Sequence, residues 1–284
     1  MNLTLNLLIR QVRLLKISQI KTIIDRKRMR FSWNEIEFYL QSLVEQSQRI
    51  IHFKEIWKNS CKALSYKLSY ENFMENIALF SPLFEYLFSL INQVLGVTPS
   101  TELNIVDSTL IETKKSESIR KKDYEQNRVT YRNKKVICGE KGLAFINKKG
   151  EITYAELVNI NFSDFNFLKR PKFYMAKGLM QGILLGDRGF NCKMVRDRIL
   201  EANRQCVGVP NTQWISPPHK KSKEILSPEE WKIYNKRWSI ETLFQKLKEE
   251  FGPYKLSLKG KFRPQIKQAR FFICLIQYNL SLFI

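Results

Sequence analysis

Histidine is almost missing from this chain of 284 residues, because only His52 and His219 occur. They do not form a pair at the spacing of metal ligands. Zinc, copper and non-haem iron favour imidazole or thiolate donors, so the sequence argues against such a site. Any metal in this protein is therefore expected to bind oxygen ligands.

Paired cysteines are missing as well. The five cysteines contain no C-x-x-C pair and are scattered along the chain: Cys61, Cys138, Cys192, Cys206 and Cys274. Such a pattern implies no disulfide framework and is expected of reduced thiols in a cytosolic protein. The sequence therefore predicts a cytoplasmic location.

Acidic residues are scarce in comparison with basic ones. The chain has 27 Asp and Glu against 48 Lys and Arg, which gives a net charge of +21 and an isoelectric point near 9.8. A nucleic-acid partner fits this balance, because phosphate neutralisation with release of counterions would dominate the affinity. A ribosomal or membrane-surface protein has the same balance, so the charge supports DNA binding without deciding it.

Long uncharged hydrophobic runs are also missing. The first residues alternate apolar and basic and offer no small-residue cleavage site, so no signal peptide is indicated. The apolar stretch Ile266–Ile284 has the length of a membrane helix, but it contains Lys267 and Arg270. We therefore expect a buried packing helix there, and no membrane partner.

The basic residues cluster in three segments. Residues 1–34 hold eight cations against Asp25 alone, residues 111–135 hold nine against four acids, and residues 251–270 hold six and no acid. The first is interpreted as a DNA-facing helix and the second as a flexible arm that clamps DNA after Asp107. The alternative for each segment is an ordinary solvated surface.

The chain divides into two predicted domains. In residues 1–99, apolar and aromatic residues recur at spacings of three and four positions, which indicates a helical domain. We expect this domain to bind DNA. Glycine and proline at Gly96 and Pro99 mark the boundary. Residues 100–284 form the second domain, and the chain is long enough for both to bury a core.

The second domain reads as mixed strands and helices. Leu103–Asp107 is a short apolar strand, and a hairpin is predicted around residues 147–150. Residues 164–181 are predicted to form a helix or loop that is broken at Pro171, and a strand that ends at Asp187 follows. We further expect a helix over 193–203, a strand over 205–210 that is parallel to the preceding one, and a loop over 211–226.

One stretch near the C-terminus carries the strongest signal. Ser227, Pro228 and Glu230 specify the start of a helix, through an N-cap, a first-turn proline and a capping box, and the helix is predicted to end at Gly252-Pro253. It presents Tyr234, Arg237, Glu241 and Lys248 within roughly 60° of arc, at about 100° per residue. A solvated helix with i, i+4 ion pairs is the alternative.

Two aspartates are predicted at the ends of buried strands. Asp107 follows an apolar run, and Asp187 follows another, bracketed by Gly186 and Gly189, which would allow a tight turn and the close approach of a ligand. Each aspartate alone is more often a turn residue or the N-cap of the next helix.

Together these motifs resemble the DDE transposases of bacterial insertion sequences. The resemblance rests on Asp107-Ser-Thr, on Gly186-Asp187-Arg188-Gly189-Phe190, and on a Tyr-x2-Arg-x3-Glu-x6-Lys signature in the helix described above. It covers about residues 100–284. It implies an α/β, ribonuclease H-like mixed sheet flanked by helices, with a helical N-terminal domain. It also implies a transposase that cleaves element-end DNA and transfers the 3′-hydroxyl into target DNA.

The resemblance also implies the site residues. Asp107, Asp187 and Glu241 would be the catalytic residues and would hold two Mg²⁺ ions, with Mn²⁺ as a substitute, because carboxylates are the hard ligands that Mg²⁺ accepts. Two such ions suit an in-line phosphoryl displacement. The DNA-binding residues would be Tyr234, Arg237, Lys248 and Arg188. Trp238 is a candidate to stack on an unpaired base, although simple packing is the more common role.

The expected partners are the terminal inverted repeats and the target DNA, bound by a homo-oligomer at the bacterial nucleoid. Glu241 follows Asp187 by 54 positions, which leaves no room for a large β insertion that some relatives carry. Two other functions remain open: a decayed or co-opted DNA-binding protein without catalysis, and a metal-dependent nuclease without strand transfer.

Overall fold

The computed structural model describes residues 3–24, 32–49, 53–64, 66–114, 119–125, 129–132, 135–167, 182–190, 196–197, 200–201, 213–218, 225–249 and 263–283. Contacts divide the chain into two compact units. One consists of Met1–Gly96 with Leu247–Ile284, and the other of Val97–Lys246. The sequence placed residues 100–284 in one domain, whereas the structure groups the C-terminal helix with the helical unit.

All the strands of the described residues lie in the second unit. Within the described residues the helices are α1 (Leu3–Leu14), α2 (Ile17–Ile23), α3 (Trp33–Arg49), α4 (Phe53–Ala63), α5 (Tyr70–Phe80), α6 (Leu83–Leu95), α7 (Lys121–Glu125), α8 (Asp164–Phe167), α9 (Pro228–Tyr234), α10 (Trp238–Glu249) and α11 (Arg263–Ser281). The strands are β1 (Leu103–Lys114), β2 (Val129–Arg132), β3 (Lys135–Asn147), β4 (Ile152–Asn159), β5 (Ile183–Gly186) and β6 (Gln213–Ile215).

The helical unit has an aromatic core. Tyr39 of α3 stacks on Phe80 of α5, with ring centroids 5.3 Å apart, and both side chains are fully buried. Because a buried hydroxyl needs a partner, Asn76 donates a hydrogen bond of 2.7 Å to the Tyr39 oxygen. The unit's sixth helix ends at Gly96, whose φ of +69° places it in the left-handed region that favours glycine.

The C-terminal helix α11 is buried within the same unit, as predicted for a packing helix. Its Phe272 contacts Phe88 of α6, with ring centroids 5.7 Å apart. Its Asn279 donates a hydrogen bond of 2.9 Å to Asn92, and both asparagines are buried. These contacts explain why α11 groups with the N-terminal helices, since its apolar surface is covered by α6 and α3.

By length and composition, one stretch of the described residues could cross a membrane. It is Tyr70–Leu95, of 26 residues. In the structure it forms two helices, α5 and α6, which meet at Ser81 and Pro82, and 56% of the tested window is buried. Core helices of a folded domain pass the same test, so this is weak support for a membrane partner.

The second unit contains a mixed sheet. Among the described residues it has six strands in the order β2-β3-β1-β5-β6, and β4 also pairs with β3. β3 runs antiparallel to β1, β2 and β4, whereas β5 runs parallel to β1 and β6. This is the ribonuclease H-like architecture that the resemblance implied. The predicted hairpin is present as β3 and β4, with the turn at residues 148–150.

The first strand does not end at Asp107, as the sequence predicted. β1 runs on to Lys114, because it pairs with β3 along its whole length, and Asp107 lies mid-strand opposite Ala144. The basic segment over residues 111–135 is therefore not simply a flexible arm. The end of β1, then α7, β2 and the start of β3 occupy much of it.

β6 pairs with β5 on the side opposite β1. It lies within residues 211–226, which were predicted to form a loop. The strand predicted over 205–210 lies outside the described residues, as does the segment 168–181 with Pro171. Of the helix predicted over 193–203, residues 196, 197, 200 and 201 are described and are helical. A three-residue strand followed by two prolines is too short to give a pattern in the sequence.

Candidate active site

Asp107 projects from the middle of the sheet. Its neighbour Val106 is aligned with Gly186, the last residue of β5, so Asp107 lies beside the point where β5 ends. The residue is buried, with 7% exposed, and one carboxylate oxygen accepts a hydrogen bond of 2.7 Å from the Ser108 backbone. The register of β1 against β5 thus brings Asp107 to the end of the strand that carries Asp187.

Asp187 directly follows β5 and is held by two contacts. Its carboxylate accepts a hydrogen bond of 2.6 Å from the Gly189 backbone N–H, and its carbonyl oxygen accepts one of 2.8 Å from the Ser216 hydroxyl. A short 3-10 turn, Arg188–Phe190, begins immediately after it. Both the backbone and the side chain of Asp187 are therefore positioned by neighbouring residues.

The glycine before Asp187 lies against an aromatic side chain. A Cβ atom at Gly186 would lie 2.4 Å from Cη2 of Trp214, on the neighbouring strand β6. The indole ring therefore approaches Gly186 closely, and the approach of a ligand to this glycine stays a prediction. At Gly189, a Cβ atom would lie 2.9 Å from a carboxylate oxygen of Asp187. Both glycines make room for groups at the site.

The signature helix begins as predicted and is then interrupted. Ser227 forms the N-cap, and Glu230 completes the capping box. A 3-10 turn at Asn235–Arg237 separates α9 from α10, so a single helix from Ser227 to Gly252 is wrong. α10 is described to Glu249, and the predicted end at Gly252-Pro253 lies outside the described residues.

Arg237 joins two of the predicted carboxylates. Its Nη1 donates to Oδ2 of Asp107 and its Nη2 donates to Oε1 of Glu241, so one guanidinium bridges two acids. The Arg237 side chain is 18% exposed, against 9% for Asp107 and 41% for Glu241. Its Cζ atom also lies 5.7 Å from the ring centroid of Tyr234. The predicted signature residues Tyr234, Arg237 and Glu241 are therefore neighbours in space.

Two further residues were predicted to bind DNA, Arg188 and Lys248. Arg188 is exposed beside Asp187, and the backbone of Lys248 lies in α10, while its side chain is outside the described residues. Trp238 is 70% exposed, so simple packing beside the helix does not describe it. Arg188 and Trp238 are therefore exposed residues that lie next to site residues along the chain.

Sequence reasoning missed a fourth acid, Asp164, at the start of α8. If residue 189 carried a Cβ atom, that atom would lie 3.1 Å from Oδ2 of Asp164. Asp164 and Asp187 therefore both lie next to Gly189. Lys141 of β3 donates to Asp164 at 3.0 Å and to the Phe162 carbonyl at 2.6 Å. Nothing in the local sequence marks Asp164, because its place at the site depends on how the loop after β4 folds back.

Burial dominates the electrostatics of the site. It raises the pKa of Asp107 to about 7, and the positive charge of Arg237 offsets only part of that increase. The charges of Asp187 and Asp164 raise the same pKa further, so both lie close enough to act on Asp107. Burial lowers the pKa of Arg237, but the charge of Asp107 and the other nearby groups outweigh it, and the net change is upward.

The donor chemistry at this site fits a hard divalent cation. Asp107, Asp187 and Glu241 offer only carboxylate oxygens, and a buried carboxylate such as Asp107 calls for a positive partner. The positions of these side chains do not match those of a metal site. Within the described ranges, no three His, Cys, Asp or Glu side chains are grouped so that they could hold a metal ion. Arg237 stands between two of the expected ligands instead.

A comparison with protein families decides the identity. The model of the transposase DDE domain family matches residues 98–280, which contain the sheet and the site described above. The chain belongs to the transposase DDE domain family. Family membership implies nuclease or transposition chemistry on DNA. The matched residues include Asp107, Asp187 and Glu241, the acids predicted from the sequence.

A solved transposase resembles this DDE-family chain at low identity. It is the piggyBac transposase in a synaptic complex with hairpin DNA, seen by cryo-electron microscopy. The identity is 11% and the TM-score is 0.48, and the match covers 98% of this chain and 75% of the other. A comparison with curated protein sequences gave no match.

Proposed function

We propose that this chain is the transposase of a bacterial insertion sequence, which cleaves the DNA ends of its element and transfers the 3′-hydroxyl into target DNA. The observation that carries the proposal is the Arg237 bridge, which brings Asp107 and Glu241 together although they are far apart in sequence. Asp187 lies close enough for its charge to act on Asp107. Three acids of the expected types thus share one region of the second unit.

Asp107, Asp187 and Glu241 are the residues that would hold Mg²⁺, with Mn²⁺ as a substitute. When bound, two such ions would supply the charge that activates an attacking water or 3′-hydroxyl and stabilises the leaving oxygen. The hydrogen bonds from Gly189 and Ser216 hold Asp187 in position for this role. Ser108 holds the Asp107 carboxylate in the same way.

The cations around the acids would bind the DNA backbone. Arg237 and Arg188 have planar guanidinium groups that can donate two hydrogen bonds to one phosphate, whereas Lys248 would act as a point charge. Tyr234 lies beside Arg237 and offers a phenolic donor. The exposed indole of Trp238 is available to a base. These groups supply attraction independent of sequence, which the net charge of +21 reinforces.

The proposed partners are the element's terminal inverted repeats and the target DNA. The proposal includes a homo-oligomer on DNA, because two element ends must be paired, and a location in the bacterial cytoplasm at the nucleoid. The helical unit would contribute DNA contacts through the basic residues of its first helices. None of these partners requires a membrane.

A non-catalytic DNA-binding protein is the second candidate. It is favoured by the ion pairs of Arg237 with Asp107 and Glu241, which occupy an oxygen atom of each of two expected metal ligands. A decayed or co-opted copy of a transposase would keep such pairs and its basic surface while losing the chemistry. A nuclease that hydrolyses DNA without strand transfer would need the same acids as the transposase.

One experiment separates the three functions. Purified protein is mixed with a labelled duplex that carries the DNA flanking the gene, a plasmid target, and Mg²⁺ or EDTA. Nicked ends joined to the plasmid support the transposase, and nicked ends without joining support the nuclease. Retention of the duplex without nicking, both in Mg²⁺ and in EDTA, supports the binding protein and rejects the proposal. Inverted repeats in the flanking DNA would identify the ends.

A further inference from the structure

Arg237 takes the position that a cation shared by Asp107 and Glu241 would need. Its two terminal nitrogen atoms donate to one oxygen of each acid, and its side chain is 18% exposed. A guanidinium is charged at every accessible pH and has a rigid fork of donors, so it can satisfy two carboxylates at once. The two acids therefore share one positive charge that the protein itself supplies.

A guanidinium and a metal ion cannot use these oxygens in the same way together. Mg²⁺ accepts carboxylate oxygens at about 2.0–2.1 Å and demands a near-octahedral arrangement of ligands. With Arg237 hydrogen-bonded to both acids, the space between them is filled by nitrogen atoms. The absence, in the described part of the chain, of any three acids, histidines or cysteines grouped for a metal agrees with this geometry.

The acids would be costly to leave without a positive partner. Asp107 is buried, and the charges of Asp187 and Asp164 act on it as like charges. Lys141 donates hydrogen bonds to Asp164 and to the Phe162 carbonyl. Among the described residues, no ion pair joins Lys141 to Asp107. Among the residues that the structure describes, Arg237 is thus the cation that forms an ion pair with Asp107.

We propose that Arg237 and the divalent metal compete for Asp107 and Glu241. Arg237 holds the two acids together in the metal-free protein, and metal binding releases its guanidinium from them. The inference rests on the proposed function, because it takes these acids as metal ligands. Arg237 is then a positioning residue before the metal binds and a cation free for a DNA phosphate afterwards.

The surroundings of Arg237 suit such an exchange. It is the last residue of the 3-10 turn between α9 and α10, so its backbone is not part of a continuous α-helix. The guanidinium already lies over the ring of Tyr234, with its Cζ atom 5.7 Å from the ring centroid, and this contact does not depend on the two acids. Glu241 is 41% exposed, which leaves that acid open to solvent and to incoming ions.

The test measures Mn²⁺ binding to the full chain without DNA, by the electron paramagnetic resonance of free Mn²⁺. Arg237→Gln is expected to bind Mn²⁺ at least about tenfold more tightly than the wild type, because it loses charged hydrogen bonds to both acids and each such bond corresponds to about ten- to a hundredfold in affinity. Lys236→Gln removes the same charge from the adjacent exposed residue and should change the affinity much less. Arg237→Lys should lie between, because an ammonium lacks the planar fork.

Thermal unfolding supplies a second readout. In EDTA, Arg237→Gln should melt below the wild type, and Mn²⁺ should raise its melting temperature by more than that of the wild type. If Arg237→Gln does not fold without metal, Arg237→Lys carries the comparison. Equal or weaker Mn²⁺ affinity in the folded Arg237 variants would overturn the exchange.

The outcomes separate the exchange from the proposed function. If wild-type protein binds Mn²⁺ and Glu241→Gln loses that binding, but the Arg237 variants bind no more tightly, the exchange is wrong and the metal site stands. If neither the wild type nor the Arg237 variants bind Mn²⁺, the metal-dependent function fails and the exchange fails with it. Tighter binding in both Arg237 variants, with Lys236→Gln unchanged, supports the exchange.

Discussion

The indole ring of Trp214 lies directly against Gly186, so that a Cβ atom at residue 186 would be 2.4 Å from Cη2 of the ring. Gly186 is the last residue of β5, and Asp187 follows it. Trp214 and Ser216 both belong to the β6 segment, and Ser216 donates to the Asp187 carbonyl. The short strand β6 therefore determines where the Asp187 backbone lies.

Gly186→Ala is expected to destabilise the second unit and to displace Asp187. The added methyl group must move either the indole ring or the strand, and overpacking of this kind costs about 1–3 kcal/mol. Urea unfolding measures the loss. Gly186→Ala combined with Trp214→Leu should recover part of it, because the smaller side chain makes room. A neutral Gly186→Ala would show that the contact is not tight in solution.

Glu241→Gln should abolish DNA cutting and leave DNA binding nearly intact. The amide removes a predicted metal ligand but no cation that contacts DNA, and it keeps the size of the side chain. Cleavage of labelled end DNA and retention of the same DNA in a gel measure the two effects separately. Wild-type cleavage by this variant would reject the assignment of Glu241.

Lys248→Ala should weaken binding to end DNA and reduce its salt dependence by about one charge unit, as expected when one phosphate contact is lost. The slope of log affinity against log salt concentration is the measurement. Lys232→Ala, at an exposed position of α9, is the matched control and should leave the slope unchanged. An identical slope for Lys248→Ala and the wild type would remove Lys248 from the phosphate contacts.

The raised pKa of Asp107 predicts a pH dependence of stability in EDTA. Its pKa is about 7 in the folded protein and has an ordinary value of 3.8, so the folded state holds the proton more tightly. This contribution to stability is complete below the ordinary value and is lost as the pH rises through about 7. Urea midpoints across that range measure it. Asp107→Asn should flatten the profile, whereas Asp197→Asn, at an exposed position, should not.

The buried asparagine pair of the helical unit is expected to matter for stability. Asn279→Leu removes the hydrogen bond that Asn279 donates to Asn92, and the loss of a buried hydrogen bond in this way costs about 1–3 kcal/mol. Asn92→Leu with Asn279→Leu should recover part of the loss. Thermal unfolding of both proteins provides the comparison, and equal stabilities would show that the pair contributes little.

Local features of the fold could be read from the sequence. The N-cap at Ser227 is predicted by Pro228 and Glu230, because a capping box depends only on residues within one turn. The β3–β4 hairpin is likewise predicted by a turn between apolar runs. The predicted end of β1 at Asp107 was wrong. A strand ends where its pairing ends, and β1 pairs with β3 as far as Lys114.

The sequence by itself determined the types and order of the acids, the basic charge and the start of the helix at Ser227, because these depend on composition and on neighbours along the chain. Only the tertiary structure decided that Arg237 bridges Asp107 and Glu241, that Asp164 joins the site and that Trp214 covers Gly186. Such contacts join residues from different strands and helices. They are set by strand register and packing, which no local pattern specifies.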